Sequence, residues 1–157
     1  MSAAWVLMLA LQAVSPAPVA ETAPRSAFFC QVADRSDRRG AEALRPLNVL
    51  LAGTDDAVGE SEPIETFDPT GLLGSRGFTR FLRNPAAGGY AIVSGETRDP
   101  QAALLSLVER DGGPELGAAL GLLRDGREPR YLGQCIRYRS ANTAADFQSF
   151  NASLGRQ

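Results

Sequence analysis

The sequence predicts an α+β domain: a small, mainly antiparallel sheet with one or two packed helices, a C-terminal helix and one disulfide. Strand-like apolar runs stand near both ends of the chain, and apolar residues at helical spacing lie between and after them. Two cysteines, Cys30 and Cys135, sit near the two ends. With no alternating β-α-β series and no internal repeat, segregated strands and helices favour the antiparallel α+β class over a doubly wound sheet.

The chain opens with an apolar run from Ala3 to Val14, followed by small residues and proline up to Ala20 and a polar change at Glu21. This is the pattern of a secretory leader over residues 1–20, although its n-region lacks the usual Lys or Arg. The run is shorter than the ~20 apolar residues of a spanning helix, so the mature chain, 21–157, is expected to have no stable membrane span. No lipobox-like cysteine follows it. In an exported chain two cysteines read as a disulfide, here Cys30 with Cys135.

Within the single domain, Ser26 to Asp34 alternates Phe28, Cys30 and Val32 with Phe29, Gln31 and Ala33, the signature of a buried strand. Ala41 to Leu44 could open a helix that Pro46 interrupts, and Leu47 to Leu51 fits strand or helix. The segment 53–69 carries Asp55, Asp56, Glu60, Glu62, Glu65 and Asp68 with Gly and Pro and no base, which reads as a loop. Thr70 to Arg83 is basic and is expected to end in a short helix. Gly89 to Thr97 follows a Gly-Gly turn as a strand. Asp99 then offers an N-cap, Pro100 a first helical position, and Leu104, Leu107 and Val108 a helical face that stops at Gly112. Leu116 to Leu123 and Arg130 to Arg139 flank Asp125-Gly126 and predict a hairpin, with a loop longer than two residues because Pro129 cannot donate to a ladder. Thr143 with Asp146 resembles a capping box, and Phe147, Phe150 and Leu154 share one face of a terminal helix that docks on the sheet.

Composition excludes more chemistry than it suggests. All 16 basic residues are Arg, against 18 acids, and there is neither Lys nor His. Arg in place of Lys, with abundant Ala and Gly, fits a GC-rich bacterial genome. The absence of Lys removes the P-loop lysine and Schiff-base chemistry, and the absence of His removes Ser-His and Cys-His pairs and nearly all catalytic zinc sites. A formal charge of −2 argues against a nucleic-acid partner. Neither the dinucleotide GxGxxG nor the hydrolase GxSxG occurs.

Three clusters remain as candidate sites. The acidic segment lacks the order of a calcium loop, so no metal and no cofactor is expected. Arg76, Arg80 and Arg83 stand at i, i+4 and i+7, one face of a helix that could hold an anionic envelope component, or pair with the acidic loop instead. Arg124, Arg127, Arg130, Arg137 and Arg139 lie on the hairpin. The expected function is that of a small exported, periplasmic or secreted, binding or structural protein with no catalytic residues. The alternative is a carboxylate-based, glycosidase-like hydrolase of the envelope, which needs neither His nor Lys, with Glu96 and Asp99 as the pair to inspect.

Overall fold

The computed structural model describes residues 25–36, 44–51, 64–74, 77–84, 88–95, 102–111, 113–122 and 128–156. The predicted leader, the helix start at Ala41, Asp55, Asp56, Glu60, Glu62, Glu96, Asp99, Arg76, Arg124 and Arg127 lie outside these residues. The elements are β1 (Ala27–Asp34), β2 (Arg45–Leu50), β3 (Glu65–Phe67), β4 (Arg80–Asn84), β5 (Gly89–Val93), β6 (Ala103–Glu109), β7 (Glu115–Leu122), β8 (Tyr131–Tyr138) and α1 (Thr143–Leu154). The strands form one antiparallel sheet in the order β3-β2-β1-β8-β7-β6-β5-β4.

The sheet curls into a half-barrel. β1 and β5 are separated by β8, β7 and β6, so a flat sheet would hold their backbones ~19 Å apart at ~4.8 Å per strand. The Phe28 ring of β1 nevertheless lies 5.5 Å from Tyr90 of β5 and 6.3 Å from Phe81 of β4. The concave face is filled by Phe28, Val32, Leu47, Val49, Phe81, Ile92, Leu105, Leu107, Leu116 and Leu120, all buried. The two ends of the strand order approach one another where the Phe78 N–H, just ahead of β4, donates to Thr66 Oγ1 of β3 at 3.0 Å.

Two helical expectations are corrected. The segment read as a helix from Asp99 contains β6, paired on both sides, with Ala103, Leu105 and Leu107 buried and Val108 exposed. Leu104, Leu107 and Val108 match a period of 3.6, but Ala103, Leu105 and Leu107 match a period of two equally well, and two flanking strands decide between them. Arg80 to Asn84 is likewise strand β4 rather than helix, with Phe81 inward opposite Ile92. β2 resolves as a strand. Pro46 is tolerated there because β3 pairs only with Asn48 to Leu50, leaving the other side of β2 at Pro46 without a ladder partner among the described residues. The strand at β1, the β7–β8 hairpin and the terminal helix form where the sequence predicts them.

β1 and β8 pair over their whole lengths, and Cys30 stands directly opposite Cys135 with Cα atoms 4.0 Å apart and a disulfide between them. Both cysteines face the core, as their alternation with Phe28, Val32 and Tyr131 implies. Two residues along β8, Gly133 lies so close to β1 that an added Cβ would collide with the Gln31 carbonyl oxygen and come within 2.8 Å of Val32 Cα.

Two predictions follow from this pairing. Cys30→Ser or Cys135→Ser is expected to destabilise by about 2–5 kcal/mol, since closing a loop of ~100 residues restricts the unfolded chain most strongly. The loss is read as a lower Tm, and thiol titration of the denatured, unreduced parent should find no free thiol. Gly133→Ala should cost about 1–3 kcal/mol in urea unfolding through the forced separation of β1 and β8. Gly121→Ala is the control and should be near neutral, because its added Cβ meets nothing closer than Pro129 Cα at 3.5 Å.

Candidate functional site

The convex face of the sheet carries α1. The turn after β8 fixes where the helix starts: Ser140 N–H donates to Thr143 Oγ1 at 2.8 Å, and Thr143 Oγ1 donates to the Ser140 carbonyl at 2.9 Å. Asp146 Oδ2 accepts from Tyr138 OH and from Ser140 Oγ, each at 2.7 Å. The predicted capping box is therefore corrected. The N-cap is Asn142, whose side chain makes no cap bond, and Thr143 and Asp146 reach back to Ser140 and Tyr138 instead. The hydrogen bonds from Tyr138 and then Ser140 hold the Asp146 carboxyl below its ordinary value of 3.8.

Aromatic packing and one amide chain seat the helix. Phe29, pointing outward from β1, lies 5.8 Å from Phe147, 4.7 Å edge-on to Phe150 and 6.0 Å from Tyr138. Both helix phenylalanines thus dock on the sheet as expected, Phe147 fully buried and Phe150 at the margin. Beneath them, buried Asn48 of β2 donates from Nδ2 to Asn151 Oδ1 of α1 at 2.7 Å and accepts the Cys30 N–H on Oδ1 at 3.1 Å. Sequence reasoning did not single out this link. Its one signal was a polar residue inside the apolar run Leu47 to Leu51.

Between the last turns of α1 and the outer faces of β1, β2 and β8 lies a cleft of about 420 Å³. Phe29, Leu44, Pro46, Ile136, Phe150 and Leu154 supply its apolar lining; Gln31, Asn48 and Gln134 supply amides, and Cys30 and Gly133 complete it. Three of these side chains are large, apolar and half exposed: Leu44 at 52%, Ile136 at 53% and Phe150 at 44%. Among the described residues, no ionisable side chain lines the cleft.

The charged residues gather elsewhere and satisfy one another. At one end of the half-barrel, Asp34 accepts from Ser36 N–H at 2.8 Å, Ser36 Oγ at 2.7 Å and Arg130 Nε at 3.2 Å, and Arg35 lies 3.7 Å from Glu128. The Ser36 bonds first, and Arg130 after them, lower the Asp34 pKa. The Arg130 and Arg45 guanidinium groups lie over the Tyr131 ring. At the other end, Tyr90 OH donates to Glu109 Oε1 at 3.1 Å and accepts from Arg137 Nη1 at 2.5 Å, and Arg139 donates to Ser26 Oγ. Of the hairpin arginines, the described Arg130 stands at one end of β8 and Arg137 and Arg139 at the other.

The helical face drawn through Arg76, Arg80 and Arg83 is not formed by its described members. In β4, Arg83 shares the face of Phe81, and Arg80 the opposite one. Arg80 Nη2 is buried with no hydrogen-bond partner among the described residues. Of the acidic segment, Glu65 accepts from Gln148 of α1, and Asp68 accepts the backbone N–H groups of Leu72 at 2.9 Å and Leu73 at 2.8 Å. No helix among the described residues is long and apolar enough to cross a membrane. Comparisons of this chain with protein-family models, curated proteins and solved structures find no match.

The Asp146 environment sets an acid response. Its folded pKa is lowered, so its contribution to stability is complete above the unfolded value and is lost as pH falls through the folded one. Urea midpoints should therefore drop below about pH 4. Asp146→Asn should start lower at neutral pH and lose less on acidification, which parallel titrations of the two proteins will measure.

Proposed function

We propose that the protein works after export as a non-catalytic binding protein whose ligand lies in the cleft beside α1. The observation that carries this reading is the lining: large apolar side chains left half exposed and converging on one concavity, with amides and, among the described residues, no acid, base or nucleophile. Such a lining suits apolar contact with a few directed hydrogen bonds. A disulfide between Cys30 and Cys135 suits an oxidising compartment, in keeping with the leader-like start of the sequence.

The carboxylate-hydrolase alternative needs two carboxyl groups facing each other ~5–9.5 Å apart across a sugar site. Asp34, Asp68, Glu109 and Asp146 are instead each engaged by donors from neighbouring residues.

The test is saturable binding of the apolar fluorophore N-phenyl-1-naphthylamine. The parent should enhance its emission at a stoichiometry of one. Ile136→Asp, which puts a charge at an exposed cleft position, should weaken binding at least tenfold while leaving circular dichroism and Tm unchanged. Non-saturable emission, or equal binding by the variant, would remove the cleft from the reading.

A further inference from the structure

Along β1 and β8 the cleft is graded. In the register of β1 with β8, Phe29 stands opposite Ile136, and the next outward-facing pair is Gln31 opposite Gln134. These two rows lie ~6.6 Å apart, since outward positions recur every second residue. In the first row Phe29 packs edge-on against Phe150 of α1 at 4.7 Å, whereas Ile136 and both glutamines are exposed. Neither glutamine side chain makes a hydrogen bond among the described residues. Along β1 and β8 the site is thus apolar in the row beside Phe150 and offers neutral donors and acceptors in the next, with Asn48 and Pro46 of β2 flanking the two rows in turn.

A volume of about 420 Å³ is near the lower end of the ~300–1,000 Å³ of small-molecule sites, which suits one hydrocarbon chain rather than two. Among the described lining residues none is charged, so none of them compensates an ionised group, and a charged head is placed in water. Resting on the binding function proposed above, we infer that the ligand is a single-chain amphiphile. Its alkyl chain lies along Phe29, Ile136, Phe150 and Leu154. Its neutral ester, amide or alcohol junction is held by Gln31 and Gln134, whose amides offer both a donor and an acceptor to a carbonyl or hydroxyl.

The experiment displaces bound N-phenyl-1-naphthylamine from the full disulfide-bonded chain with straight-chain monoacylglycerols of six to sixteen carbons, each below its aggregation threshold. Affinity should rise about fourfold per methylene and then level off once the cleft is filled. Gln134→Glu should weaken a fatty acid about tenfold relative to the monoacylglycerol of equal length, because only the former brings a like charge to that position. If the fluorophore binds saturably but chain length has no effect, or affinity climbs through sixteen carbons without a break, the amphiphile inference fails while the cleft remains a binding site. An equal effect of Gln134→Glu on both ligands overturns the placement of the junction. If the fluorophore itself does not bind, the underlying function fails with it.

Discussion

The pairing of β1 with β8 is the joint on which the rest of the molecule hangs. β4 to β8 form a run of hairpin neighbours, and β1 to β3 form another, so both are local structures in sequence. β1 against β8 is the ladder that joins the two runs, and the disulfide across it links residues 105 positions apart. Once the joint is made, the sheet can curl until Phe28 meets Tyr90 and Phe81. Asn48 then carries the same joint outward to the helix, through the Cys30 backbone on one side and Asn151 on the other. The cleft is a product of this arrangement, because its lining comes from β1, β2, β8 and α1 together.

What could be read in the sequence follows the range of the interactions involved. The alternation in β1, the hairpin punctuation before β8 and the helical face of Phe147, Phe150 and Leu154 are local signals, and each gave its element. The two cysteines extended this to one long-range contact, since a single pair leaves a single connectivity. β6 and β4 escaped because their residues satisfy helical and strand periods alike, and only neighbouring strands select one. The cleft was illegible for a related reason. Ile136, Phe29 and Leu44 are unremarkable until β1 is known to lie between β2 and β8. The helical spacing of Arg80 and Arg83 is a case of the opposite kind, because on a strand that spacing sends the two to opposite faces.

Polarity is distributed unusually between the two faces and the two ends. The concave face is sealed at one end by Tyr90, Glu109 and Arg137 and at the other by Asp34, Arg130 and Tyr131, so its charges are consumed locally. The convex face beyond α1 instead presents Leu82, Val108, Leu132 and Ile136 to solvent. Exposed apolar groups on a sheet invite stacking, whereas exposed strand edges invite extension by hydrogen bonding. The second hazard is contained here: β3 is only three residues long, and the Phe78 to Thr66 bond draws the outer strands toward one another.

Chain order gives the β1–β8 ladder a meaning in time. A polypeptide is made from its N-terminus, so β1 is synthesised long before β8, and β2 is its only early partner. The outward edge of β1 therefore spends most of the chain's synthesis without a ladder, with Phe28 and Phe29 beside it on opposite faces. Pairings of this sequence separation form late, because the entropy of closing a long loop opposes them until the intervening structure has shortened it. The interval before β8 arrives is when this chain is most exposed to wrong pairings.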